Sequence, residues 1–154
     1  MAGDLLSLDR QVCFALAVAS RNVIGLYRPL LEPLGLTHPQ YLVMLALWER
    51  SPRRVRDIGE ALYLEPATLS PLLKRLESAG LITRGRNAED ERALDVELTD
   101  AGRALKAEAE RVPPAIIEQL GVDVSELEEL RDRLVQLLNA AAPGGARGSV
   151  SAIA

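Results

Sequence analysis

The segment from Val55 to Leu98 leaves this chain few choices of fold. Apolar residues at 55, 58, 62 and 64 suit a short helix packed on one face. Glu65-Pro66 then breaks the run, and a proline tolerates the first turn of a new helix. In ATLSPLLKRLESAG, Leu69, Leu72, Leu73 and Leu76 recur at threes and fours, so one face is buried while Thr68, Ser70, Lys74 and Arg75 fall on others. Gly80 supplies the stop. Two short helices with a tight turn, the second carrying hydroxyl and basic groups, read as a helix-turn-helix, whose second helix enters the major groove of DNA.

The next stretch agrees. LITRGR and ALDVELT alternate as strands do, and the charged loop NAEDER joins them into a two-stranded hairpin with Arg84, Arg86 and Arg92 near its tip. A basic hairpin after a helix-turn-helix is a wing, and an arginine guanidinium suits the negative potential of a narrow minor groove. Thr68, Ser70, Lys74 and Arg75 could instead be a plain solvated face. Against that reading, Pro71 inside a helix is hard to justify for stability unless it lies in the first turn, near the Glu65-Pro66 break.

With 154 residues, 48% of them hydrophobic, one domain or one subunit of a small oligomer is expected. Only five residues are aromatic, so the core must be built from Leu, Val, Ile and Ala, which favours helices. The fold class expected is mainly α with a small β-hairpin wing. No apolar run reaches the roughly eighteen residues a membrane span needs, and Met1-Ala-Gly-Asp has no basic flank or signal segment. A soluble, cytoplasmic protein with no membrane partner is the expectation. The net charge of -4 seems to argue against DNA, but residues 50 to 92 hold nine basic and seven acidic groups and the remainder nine and fifteen. Positive charge is therefore concentrated in the winged helix, where phosphates would meet it. One cysteine, Cys13, and one histidine, His38, argue against disulfides and against a metal site, and no cofactor is expected.

Along the chain, apolar positions 8, 12, 16, 19, 23, 26 and 30 step by fours and threes, close to a heptad seam. Pro29 should bend this helix near Tyr27 and leave a short second helix ending at Gly35. Thr37-His38-Pro39-Gln40 reads as a capping box opening a helix that is apolar nearly all round, YLVMLALWE, the buried centre of the subunit; Ser51-Pro52 ends it. Thr99 caps a helix through about Arg111, where Val112-Pro113-Pro114 kinks or stops it. A last helix begins at Asp123-Val124-Ser125 and carries a stripe of Leu127, Leu130, Leu134, Leu137 and Leu138. This organisation gives N-terminal dimerisation and sensing helices over 1–36, the winged helix-turn-helix over 37–98, C-terminal dimerisation helices over 99–142 and a mobile tail over 143–154. Apolar stripes on the first and last helices fit a homodimer, which would read an inverted repeat in double-stranded DNA with half-sites roughly 10 base pairs apart.

The stretch EALYLEPATLSPLLKRLESAGLITRGRNAEDERALDVELTDAG resembles the winged-helix core of the MarR family of transcriptional regulators, with its wing motif D-x-R present as Asp90-Glu91-Arg92. Upstream, QVCFAL and YRPLLEPLGLTHPQYLVMLALWE resemble more narrowly the organic-hydroperoxide-sensing (OhrR) branch, and the likeness covers roughly residues 8 to 140. The resemblance implies that Thr68, Ser70, Pro71 and Lys74 face bases or phosphates, that Arg92 enters the minor groove and that Asp90 steadies it by charge pairing. It also implies a role for Cys13. Taken alone, a cysteine between Val12 and Phe14 is most often a small buried hydrophobe. A helix start near Ser7 or Asp9, with Arg10 one turn before, mildly favours a thiolate there. In the OhrR branch a cysteine at this place senses peroxide, and tyrosines of the opposite subunit hydrogen-bond it. Tyr27 matches one of these, and His38 stands where the other is commonly found. Tyr27 lies fourteen residues beyond Cys13, about 21 Å on a continuous helix, so the two cannot touch within one chain unless the bend folds back; an antiparallel partner helix could bring them together. The histidine could donate to the thiolate or merely occupy the first turn of its helix; Tyr41 and Tyr63 read as packing residues, Tyr41 the more apt to line a pocket.

The implied function is a repressor, not an enzyme, released from its operator when an organic hydroperoxide oxidises Cys13 to a sulfenic acid. With no second cysteine, the sulfenic acid would have to condense with a low-molecular-weight thiol or with its own backbone nitrogen, or be over-oxidised. An alternative keeps the repressor but makes a small aromatic ligand the trigger, with Cys13 structural. A thiol peroxidase fits worst, because T-x-x-C and a thioredoxin-like βαβ pattern are missing.

Overall fold

The computed structural model describes residues 5–141, so the tail assigned to 143–154 lies outside the described residues. At its centre is α2 (His38–Glu49), and its start is as expected. Thr37 Oγ1 accepts from the Gln40 N–H at 3.4 Å, and Gln40 Oε1 accepts from the Thr37 N–H at 3.0 Å. Each side chain thus satisfies a backbone donor left over at the helix end. Tyr41, Val43, Met44, Ala46 and Leu47 are buried, as an all-round apolar helix requires.

The N-terminal helix differs from expectation at both ends. Leu8–Arg10 forms only a 3-10 turn, and α1 (Val12–Leu31) has Gln11 as its N-cap, which makes no side-chain cap bond. Ser7 precedes this turn and makes no side-chain cap bond; its hydroxyl donates to Asp9. Cys13 is therefore the second residue of α1. At the other end α1 continues past Pro29 to Leu31, so the helix is not interrupted at Tyr27. Pro29 forfeits one bond, to the carbonyl of Gly25, which is exposed to water. The short second helix is a 3-10 turn, Glu32–Leu34, closed by Gly35 in the left-handed region at φ 70°.

The winged helix consists of β1 (Arg53–Arg54), α3 (Val55–Leu62), α4 (Pro66–Ser78), β2 (Ile82–Arg86) and β3 (Leu94–Leu98). Tyr63 in the left-handed region and Glu65 as the α4 N-cap make the turn. Leu69, Leu72, Leu73 and Leu76 of α4 are buried, and Gly80 at φ 76° follows its end. The sheet has three strands rather than the two expected, in the order β1-β3-β2, all antiparallel. Two residues are too few to carry an alternation, which is why β1 left no trace in the pattern. Its Arg53 donates to the Ala46 carbonyl at 3.0 Å and pairs with Glu49 at 3.6 Å, fastening the sheet to the end of α2.

Thr99 caps α5 (Asp100–Ala109) through the Gly102 N–H at 3.1 Å. Val112-Pro113-Pro114 stops that helix and opens another, α6 (Val112–Leu120), whose Val112 and Ile116 are buried. Then comes α7 (Val124–Ala141), an eighteen-residue helix with no buried residue. Among the described residues, no helix is long and apolar enough to cross a membrane.

Candidate sensing site and nucleic-acid interface

Tyr27 near the end of α1 and His38 at the start of α2 are brought together because Gly35 turns the chain back on itself. Their ring centroids are 4.9 Å apart, edge to face. Tyr41, one turn into α2, lies 5.9 Å from Tyr27 and 6.4 Å from His38, and Trp48 stands edge-on to Tyr41 at 6.4 Å. Such contacts are worth about 0.5–1.5 kcal/mol each beyond burial. Burial raises the Tyr27 hydroxyl above its usual range and lowers the His38 imidazole below its own. Burial, and then the proximity of Tyr27, also raise Tyr41. Near neutral pH this cluster is uncharged, so Tyr27 offers an O–H and His38 a ring N–H without a competing positive charge.

Cys13 is not part of this cluster within one chain. It is exposed near the start of α1, and the helix is continuous to Tyr27, so about 21 Å of rise separates the two. The expectation of a small buried hydrophobe does not describe a single protomer. Around it Leu8, Val12 and Phe14 are exposed too, as are Leu130, Leu134, Leu137 and Leu138 on α7.

In the winged helix, Thr68, Ser70, Pro71, Lys74 and Arg75 of α4 are all exposed. Pro71 is the sixth residue of α4, not in its first turn. The carbonyl that loses its donor belongs to Ala67, which is exposed and open to water. Arg84 is not near the wing tip: it sits mid-strand opposite Val96, and its guanidinium bonds Glu77 of α4 at 3.1 Å. The Arg84 hydrogen bond is the main cause holding the Glu77 carboxyl below its usual range. The pattern of alternation placed the strand but could not reveal a partner on the helix before it. Arg86 ends β2 and Arg92 lies in the loop. The Asp90 carboxylate accepts the backbone N–H of Arg92 at 3.0 Å rather than pairing with its guanidinium, and the side-chain oxygen of Asn87 accepts from the Asp90 N–H at 3.0 Å. The loop is thus shaped by hydrogen bonds, which leaves the Arg92 side chain exposed. An open groove of about 1200 Å³ lies between wing and helices, lined by Arg54, Arg56, Tyr63, Glu65, Asp90 and Arg92.

Sequence reasoning missed the part played by Trp48. Its indole N–H donates to the Gly102 carbonyl at 2.9 Å, linking α2 to α5. Nothing local in the sequence signals a contact spanning fifty-four residues.

Comparison with known proteins adds three findings. A family model described as Transcriptional regulator SarA/Rot matches residues 25–109. The organic hydroperoxide resistance transcriptional regulator of Bacillus subtilis (strain 168) is 42% identical over 139 residues, spanning 88% of this chain and 95% of that protein. Reduced AbfR bound to DNA, from Staphylococcus epidermidis, superposes with a TM-score of 0.74 at 36% identity, over 91% of this chain and 98% of that one. Disulfide-formed AbfR superposes less well, at 0.61 and 38% identity, over 86% of this chain and 90% of the other.

Proposed function

Because the chain belongs to the MarR family of winged-helix transcriptional regulators, in the branch that senses organic hydroperoxides, we propose that it is a homodimeric repressor whose operator binding ends when Cys13 is oxidised. The observation that carries this reading is the division of the sensing residues between two ends of one helix. Tyr27 and His38 form a joint donor pair at one end of α1, and Cys13 is exposed at the other. Pairing two α1 helices antiparallel brings each Cys13 to the donor pair of the other chain. The exposed leucine stripe of α7, a helix that buries nothing in its own protomer, is the second surface such a dimer would cover.

In the dimer, α4 of each protomer enters the major groove with Thr68, Ser70, Pro71, Lys74 and Arg75, and the wing brings Arg86 and Arg92 to the adjacent minor groove. Asp90 acts by shaping the loop that carries Arg92. Arg84 positions the wing against α4 through Glu77. The chemistry begins with the Cys13 thiolate, which Tyr27 and His38 of the partner stabilise by hydrogen bonding. Its sulfur attacks the outer oxygen of the hydroperoxide; an S–O bond forms, the O–O bond breaks, and the alkoxide leaves and takes up a proton as the alcohol. The resulting sulfenic acid condenses with a low-molecular-weight thiol, giving a mixed disulfide and water. The added bulk at the joint between subunits moves the two winged helices out of register with the duplex. This is a stoichiometric switch rather than a turnover catalyst, and it works in the cytoplasm beside the DNA it regulates.

The test is operator release by native and Cys13→Ser protein on adding cumene hydroperoxide with reduced glutathione. Release by the native protein alone is expected. Equal behaviour of the two proteins would mean that Cys13 is structural and a different ligand is the trigger.

A further inference from the structure

We propose that Trp48 is the positioning residue through which the sensing pocket sets the root of the wing. The proposal rests on the redox reading above and adds a route to it. The four rings Tyr27, His38, Tyr41 and Trp48 form a continuous series, each within 6.4 Å of the next. The first two are the proposed donors to the partner's thiolate. Tyr41 and Trp48 lie seven residues apart on α2, two turns along the same face and about 10.5 Å of rise. Between them the α2 side chains Val43, Met44 and Leu47 are themselves buried in the close-packed core, so displacement at one end cannot be absorbed by compressing the helix.

At the far end the contact becomes specific. Trp48 Nε1 donates to the Gly102 carbonyl at 2.9 Å. Gly102 is pressed onto the link between α4 and β2: a Cβ built there would lie 2.1 Å from the Leu81 carbonyl oxygen. That same oxygen accepts the Thr99 N–H at 3.1 Å, while Thr99 Oγ1 donates to the Gly80 carbonyl at 2.6 Å. Gly80 and Leu81 lead directly into β2, the first strand of the wing. Displacing Tyr27 and His38 therefore loads Tyr41, then Trp48, then the Gly102 and Leu81 contact that fixes where β2 begins. Arg53 and Ser51 also fasten this end of α2 to the sheet, through hydrogen bonds to Ala46 and Leu98.

Trp48 is the chain's sole tryptophan, so its emission reports on this step directly. Full-length protein on operator duplex is treated with cumene hydroperoxide and reduced glutathione. Native, Cys13→Ser and Trp48→Phe chains are followed by emission where Trp48 is present, by the mass of the Cys13 adduct and by DNA release. Native emission is expected to change at the dose that causes release, and neither change should occur in Cys13→Ser. Trp48→Phe, which keeps a ring but loses the N–H, should acquire the glutathione mass at the native rate and bind reduced operator within about twofold of native affinity. Its oxidation-induced loss of affinity should shrink by about fivefold. Native release with unchanged emission, or full release by a folded Trp48→Phe, overturns the coupling and leaves the redox reading standing. Should Trp48→Phe not fold, the native emission decides. Native protein that keeps its operator after Cys13 is oxidised overturns both.

Discussion

Replacing Gly102 by alanine sets two physical effects against each other. Helix propensity favours alanine over glycine by about 1 kcal/mol, and Gly102 lies within α5, so propensity alone predicts a more stable protein. The structure predicts the opposite. An added Cβ would stand 2.1 Å from the Leu81 oxygen and 3.2 Å from Leu98 Cδ2, so backbone must move by about 1 Å to restore an ordinary contact. Neither side is free to yield, since Leu81 is held by Thr99 and Gly102 by both the Thr99 cap and the Trp48 indole. Overpacking costs about 1–3 kcal/mol, and loss of the cap and of the indole bond about 1 kcal/mol each. After the propensity gain, the net is about 3 kcal/mol of destabilisation. For a chain of this size that lowers Tm by about 6–12 °C, measured at fixed protein concentration because the assembly proposed above is a dimer. Gly25→Ala is the control: in mid-α1 with open space around it, it should stabilise by up to about 1 kcal/mol. A neutral or stabilising Gly102→Ala would refute the reasoning, because it would mean α5 slides off Leu81 at no cost.

His38 has its imidazole pKa lowered by burial, so the unfolded chain binds that proton more readily than the folded one. Stability should fall as pH drops through the ordinary value of 6.5 and level off below the folded value, and His38→Gln should flatten that decline in urea titrations between about pH 7.5 and about pH 5.5. The aromatic neighbours Tyr27 and Tyr41 stay neutral across this window and do not blur it. Thr37→Ala removes one half of the α2 capping box and should cost about 1 kcal/mol in denaturant unfolding. Lys74→Ala should reduce the slope of log affinity against log salt by about one per protomer, whereas Arg84→Ala, whose charge Glu77 already holds, should leave that slope unchanged while weakening binding. A slope that changes equally for both would show that Arg84 reaches phosphate after all.

Local pattern carried the secondary structure far, and it stopped where contacts span the chain. The Thr37-Gln40 box, the Glu65-Pro66 break, the leucine face of α4 and the Thr99 cap were legible because each depends on residues three or four apart. The strand β1 was not, since two residues held by Val96 and Asp95 carry no periodicity of their own. The extent of α1 was misjudged because proline removes one hydrogen bond, and an exposed carbonyl can give that bond to water. Among the site residues, the meeting of Tyr27 with His38 depends on the reversal at Gly35, and the Trp48 to Gly102 bond on tertiary packing alone. For Cys13, the residues by themselves favoured burial, whereas in the protomer it is exposed beside exposed apolar residues, a contrast that local pattern cannot foresee.

An acidic chain that binds DNA has to keep its DNA-facing cations clear of its own carboxylates. Of the nine basic residues between 50 and 92, Arg50, Arg53, Arg56 and Arg84 are held by Asp57, Glu49, Glu60 and Glu77. Among the described residues, Arg54, Lys74, Arg75, Arg86 and Arg92 have no ion pair, and they lie on β1, α4 and the wing. Two protomers present ten such cations, so the salt slope has a ceiling of about 9, reached only if every one meets a phosphate. One protomer supplies half of that, and the affinity it gives at physiological salt is weak. Binding therefore depends on both winged helices meeting the duplex at once. On the proposed mechanism, a displacement at the subunit joint that spoils the register of one winged helix would remove up to five contacts together, so that a small adduct on a single sulfur would empty the operator without unfolding the protein.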